Sequence, residues 1–190
     1  MTEYQKMLMG EVFNGADPEI SQVRDRAFDL QRQIQHCDRF EQTQPLFAQL
    51  FGAMGEGCIV RAPFSCEFGQ QITLGNKVFI NLGVVALDGA EIVIGDNVMI
   101  GPSVQLYTAS HSLDYRQRRG WETTCKPIHI EEDVWIGGNV VINQGVTIGA
   151  RSVVAANAVV NSDVPPDCLV GGTPARVIKR LEPEEQRLER

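Results

Sequence analysis

The chain is short of the residues that most often carry chemistry. Among 190 residues there are three histidines, two tryptophans and five cysteines. The histidines, His36, His111 and His129, are just enough for a three-histidine zinc site. His36 falls outside the repeating part of the chain, so no metal is expected. The cysteines, at 37, 58, 66, 125 and 168, are odd in number and form no Cys-x-x-Cys pair. They read as reduced thiols serving as small apolar side chains, which points to the cytoplasm. Positive charge is also scarce. The formal net charge of -7 removes any general attraction for nucleic acid or an anionic membrane surface. No apolar run approaches the ~20 residues of a membrane span, and the first residues lack the apolar core of a signal peptide. Aromatics are only 7% of a chain that is 43% hydrophobic, so the core must be built from Val, Ile and Ala.

Those aliphatics are periodic. Ile92-Val-Ile, Val98-Met-Ile, Val104-Gln-Leu, Ile128-His-Ile, Val134-Trp-Ile, Val140-Val-Ile and Val146-Thr-Ile each lead into a polar or glycine corner, with a unit length of six. The phase continues through Ser152-Val-Val and Ala158-Val-Val, and upstream through Ile72-Thr-Leu, Val78-Phe-Ile and Val84-Val-Ala. A six-residue period with apolar first and third positions predicts a mainly β protein, a parallel β-helix. Three units would make one triangular coil. Gly75-Asn76, Gly95-Asp96-Asn97 and Gly137-Gly138-Asn139 are expected to turn its corners in left-handed conformation. The phase slips by two residues around Gly89-Ala90. A long insertion then runs over 107–127, and it is the candidate functional segment.

Residues 1–52 lack the period. Asp17-Pro18-Glu19 reads as a helix start, with an apolar stripe through Val23, Ala27, Leu30, Ile34 and Cys37. A shorter helix carries Leu46, Phe47, Leu50 and Phe51. The expected organisation is a helical cap over 1–52, the β-helix over 53–181, and a charged tail over 182–190 forming a short C-terminal helix.

The chain resembles the hexapeptide-repeat sugar O-acetyltransferases of the maltose, galactoside and nodulation-factor types. The likeness rests on Lys6-Met-Leu-Met-Gly-Glu-Val-Phe13, Asn81 with Asp88, Tyr107-Thr-Ala-Ser-His111, Pro127 to Gly138, and Gly171-Gly-Thr-Pro-Ala-Arg176, in that order. It implies a left-handed β-helix, a homotrimer, and acetyl-CoA in a cleft between subunits. It implies His111 as general base, taking the proton of an acceptor hydroxyl. Glu67, Asn81 and Asp88 match acceptor positions. Trp135, Gly138, Ala156, Asn161 and Ser162 match the line of the coenzyme. Arg176 and Lys179 would meet its phosphates. The galactoside type has Asp where this chain has Gly15 and Gly89, so the acceptor is left open. Glu122 is a candidate to orient His111.

Other readings compete. An enzyme of the same fold acting on an antibiotic or serine would differ at the acceptor contacts. A non-catalytic assembly solenoid would not bind coenzyme A. A covalent route would need Ser110 or Cys125 as nucleophile. A metal-dependent hydratase of the same fold would need three converging histidines.

Overall fold

The computed structural model describes residues 1–181. The chain opens with α1 (Glu3–Leu8), β1 (Phe13–Asn14), α2 (Pro18–Gln35) and α3 (Phe40–Leu50). The first coil follows as β2 (Ala53–Met54), β3 (Ile59–Val60) and β4 (Phe64–Cys66). The second is β5 (Ile72–Leu74), β6 (Phe79–Ile80) and β7 (Val84–Leu87). The third is β8 (Ile92–Ile94), β9 (Met99–Ile100) and β10 (Gln105–Tyr107). The insertion holds β11 (Ala109–His111), α4 (Tyr115–Arg118) and β12 (Glu122–Cys125). Coil four is β13 (Ile128–Ile130), β14 (Trp135–Ile136) and β15 (Val141–Asn143). Coil five is β16 (Thr147–Ile148), β17 (Val153–Val154) and β18 (Val159–Val160). A partial coil ends in β19 (Cys168–Gly171), which pairs antiparallel with β20 (Arg176–Arg180).

The coils stack into a three-faced parallel prism, as the period predicts. The first face orders β16-β13-β8-β5-β2, the second β19-β17-β14-β9-β6-β3, and the third β18-β15-β10-β7-β4. Each strand bonds to the coils above and below it: Gly75 N donates to Ile94 O at 2.7 Å, and Gly95 N to Ile130 O at 2.8 Å. Like therefore sits on like. Ile72, Ile92 and Ile128 form one inward column, and Leu74, Ile94 and Ile130 another, all essentially buried.

Asn97 and Asn139 turn left-handed as expected, but the glycines beside them do not. The left-handed residues are Lys77, Asn97, Asp133, Arg151 and Asp167 at one corner and Ser103, Asn139 and Asn157 at the next, with φ between 56° and 63°. Gly57 and Gly83 hold the same left-handed positions in earlier coils, whereas Gly75 and Gly137 serve close approach. A Cβ on Gly75 would lie 2.8 Å from Asp96 N, and one on Gly137 2.6 Å from Ala156 N. Glycine is required there because the next coil's backbone occupies the space.

The third corner, between the third and first faces, is the irregular one. Ile72 pairs with Ile92, two residues beyond three units of six, and the surplus falls at this corner. The 107–127 insertion leaves from the same corner as a β11–β12 hairpin with α4 at its tip. The expected loop is thus an ordered hairpin.

The helical cap is present, but residues 1–52 divide. Ala27, Leu30 and Ile34 of α2 and Phe47 and Leu50 of α3 join the main core over coil one. Phe47, Phe51 and Phe64 form an aromatic cluster there, with centroids 5.3–5.9 Å apart. Two glutamines finish the exposed strand edge. Gln44 accepts from Val60 N and donates to Val60 O at 3.0 and 2.8 Å, and Gln31 does the same for Cys66 at 2.9 and 3.1 Å. Each side-chain amide replaces a missing neighbour strand, which blunts edge-to-edge association. By contrast, α1, β1 and the start of α2 pack on the third corner. Met7, Phe13 and Ile20 form a second core with Phe68 and Cys125. The tail over 182–190, with its expected short helix, lies outside the described residues.

Ile130 is 1% exposed and sits mid-column, whereas the adjacent His129 points outward from the same rung. Ile130→Ala should cost about 2–5 kcal/mol in chemical denaturation, and His129→Ala less than about 1 kcal/mol.

Candidate active site

His111 ends β11, exposed, at the outer end of the inserted hairpin. Its strand pairs with β12, and β12 pairs with β1, so the chain's first strand braces the hairpin. Glu122 does orient His111, but through its backbone. His111 Nδ1 lies 3.1 Å from Glu122 O. A carbonyl only accepts, so Nδ1 carries the proton and Nε2 presents a lone pair outward. Thr123 is buried beside the ring, with its hydroxyl donating to Trp121 O at 2.9 Å. Trp121 O also receives Gly15 N at 3.2 Å.

Gly15 and Gly89 are both closed in by β12. A Cβ on Gly89 would lie 2.5 Å from Cys125 Sγ, and one on Gly15 3.0 Å from Thr123 Oγ1. Glycine at 15 and 89 thus goes with Thr123 and Cys125 on β12. Cys125 is 3% exposed, and burial, then the nearby Glu67 carboxylate, pushes its thiol up to about 12. A thiol held neutral in this way is a poor nucleophile.

Asp88, expected among acceptor contacts, has a packing role in this chain. It is 0% exposed, and its Oδ1 accepts Glu67 N at 2.9 Å and Phe68 N at 3.0 Å. The enlarged corner leaves these two amides without a strand partner, and the carboxylate supplies one. Burial pushes its pKa up to about 6, against the lowering effect of the amides it binds. Glu67 is half-buried on the same corner, 3.4 Å from the Arg24 guanidinium.

The coenzyme-line residues divide between two clefts. Trp135, Gly138 and Ala156 line a cleft of about 500 Å³ outside the second face, and Asn81 lines its lower part. That face carries an outward apolar ladder of Ile59, Phe79, Met99, Trp135, Val153 and Leu169. Met99 is 53% and Trp135 55% exposed. Asn161, Ser162 and Arg176 line a second cleft of about 430 Å³ at the end of the solenoid, and Lys179 stands exposed on β20. His111 belongs to neither. The hairpin leaves the corner opposite the second face, so one chain does not bring His111 and Trp135 together.

Arg24 escaped the sequence reading. It donates to Gly15 O at 3.1 Å, pairs with Glu67, and lies 5.3 Å over the Phe68 ring. A signal existed. Arg24 and Gln31 fall on the same helical stripe as Ile20, Ala27 and Ile34, where charge and amide are out of place unless they bind something.

Comparison with known proteins matches residues 127–162 to the bacterial transferase hexapeptide (six repeats) and residues 6–55 to the maltose acetyltransferase hexapeptide capping motif. Nodulation protein L of Rhizobium meliloti is 42% identical, over 93% of this chain and 97% of its own length. A crystal structure of a hexapeptide-repeat-containing acetyltransferase from Vibrio cholerae O1 biovar eltor, complexed with acetyl coenzyme A, aligns with a TM-score of 0.90 and 61% identity. It covers 96% of this chain and 100% of that one. A maltose O-acetyltransferase from Clostridium difficile 630 aligns with a TM-score of 0.94 at 38% identity, covering 96% and 99%. Among the described residues no helix is long and apolar enough to cross a membrane.

Because burial raises the Asp88 pKa above its unfolded value, the folded state holds that proton more tightly. Its stabilising contribution is full below the unfolded value of ~4 and is lost as pH rises through about 6. Asp88→Asn keeps the Oδ1 acceptor and should flatten this loss, so its urea midpoint relative to wild type rises between about pH 4 and pH 7. Asp88→Ala leaves two amides unpaired and should cost roughly 1–3 kcal/mol or more.

Proposed function

The chain belongs to the hexapeptide-repeat acetyltransferases, and from that premise we propose that it transfers an acetyl group from acetyl-CoA to a hydroxyl of a sugar. The observation that carries the reading is the His111–Glu122 contact. A proton fixed on Nδ1 leaves Nε2 as a base aimed at solvent, and such a base raises the nucleophilicity of a neutral hydroxyl.

The residues around the two clefts suit the coenzyme. The first is floored by small residues, and at Gly137 the neighbouring coil leaves no room for a side chain. An extended pantetheine arm fits such a floor, with Trp135, Gly138 and Ala156 along it. Asn161 and Ser162 continue the line, and Arg176 and Lys179 supply cations for phosphates. An acidic chain needs local cations to hold a multiply anionic ligand. Acetyl-CoA supplies the acetyl thioester. Gly137 N is already bonded to Val154 O at 2.8 Å, so Gly138 is the rung's candidate donor to the oxygen that gains charge.

The acceptor would lie between His111 and Glu67 of one subunit and Asn81 on the second face of the next. A sugar fits polar groups on separate elements, because its hydroxyls need several fixed donors and acceptors. The resemblance to a maltose O-acetyltransferase supports a sugar over other hydroxyl compounds. A reducing, cytoplasmic setting belongs to the same reading.

One chain holds the two halves of this site on opposite sides. A head-to-tail contact repeated three times closes into a ring, where the hairpin of one subunit meets the second face of the next. The apolar ladder on that face and the exposed Leu113, Tyr115 and Trp121 of the hairpin give such a contact something to bury. We therefore assign the active form as a homotrimer.

His111→Ala should lower kcat by about 10²–10⁴ while calorimetry finds coenzyme A affinity unchanged; more than a third of wild-type turnover would exclude the base. Ala156→Trp, at an exposed position, should block the cleft. When the two inactive variants are co-expressed, roughly a quarter of the sites combine an intact histidine with an open cleft. Activity near that level is expected. A mixture as inactive as its parents would mean that both halves come from one subunit.

A further inference from the structure

A groove of about 440 Å³ runs between α2 and the corner that follows β4. Arg24, Phe28, Arg32 and Gln35 come from α2, at spacings that put them on one helix face, and Glu67 forms the opposite wall. Phe28 is 65% exposed. Arg24 binds Glu67 on one side and Gly15 O on the other, and its Nε is buried with no hydrogen-bond partner among the described residues.

We propose that this groove is a second acceptor subsite, holding a neutral pyranose ring beyond the ring presented to His111. The inference rests on the sugar O-acetyltransferase reading and narrows its substrate to an oligosaccharide. A pyranose has apolar C–H faces and a rim of hydroxyls. Phe28 offers a flat apolar face. The Arg24–Glu67 pair and the Gln35 carboxamide offer fixed donors and acceptors beside it. Hydrogen bonds link one wall of the groove to the inserted hairpin. Arg24 holds Gly15, Gly15 N binds Trp121 O, and the next residue, Glu122, holds His111. Phe28 has no part in the main core or in the second core at the third corner. Its position is therefore free to serve a ligand.

The test compares methyl glucoside, maltose and maltotriose as acceptors for wild type, Phe28→Ala and Gln35→Ala. Wild type should favour maltotriose over methyl glucoside by about tenfold in kcat/KM, and Phe28→Ala should remove about five- to tenfold of that. Turnover of methyl glucoside and the KM for acetyl-CoA should not change. An equal fall for every acceptor, or none, overturns the subsite. Saturation-transfer NMR with maltotriose and diacetylchitobiose, on protein saturated with coenzyme A, reads the groove without any transfer. Contact that Phe28→Ala abolishes supports the subsite even if wild type acetylates no sugar, an outcome that would sink only the transferase reading. Absence of contact with either oligosaccharide at millimolar concentration overturns the subsite itself.

Discussion

Everything in this molecule follows from one coil lying directly on the next. Strands in register are about 4.8 Å apart, and at that spacing each backbone amide finds its carbonyl in the neighbouring coil. Each side chain then sits over its counterpart. The columns of isoleucine and valine exist because a different residue at one level would leave a void or a clash. The same spacing expels Cβ from Gly75 and Gly137 and hands the left-handed turn to the following polar residue, as at Asn97 and Asn139. Two corners and three faces have almost no freedom.

The third corner is where freedom is spent. It widens in the first two coils and extrudes a hairpin in the third. Widening breaks the ladder, and the freed groups need new partners. Asp88 takes two amides, and Phe68 and Cys125 find apolar company in the N-terminal segment. His111 is carried on this locally rebuilt region, while the apolar cleft lies on the regular face opposite. In the proposed trimer, the irregular edge of one chain would meet the smooth face of the next.

The sequence made the solenoid readable because its period is a direct image of coil stacking. Its faces, its helical cap and the place of its interruption were all legible. Three things were not. The burial of Asp88 was hidden because nothing in a linear chain says whether a carboxylate points out or in. The glycines looked like turn formers because clash with the next coil is a contact about twenty residues away in sequence. The leader over the first residues looked like part of the cap, although Phe13 pairs with Thr123 across the insertion. Each concerns which distant segment a residue meets, and at an irregular corner no period reports that. Arg24 was readable in principle, as a charge on an apolar helical stripe.

The pairing of β1 with β12 imposes an order on synthesis. The coils below the insertion can stack as they emerge, since each needs only the one before it. The first strand must wait. Its partner is Thr123 and Glu122, so Met7 and Phe13 remain without their pocket until three coils and the insertion have left the ribosome. The inserted hairpin is thus fastened by a segment made more than a hundred residues earlier, before the last two coils need to form. Competence arrives late, and a nascent protein cut short before its middle is a stack of coils with a loose leader.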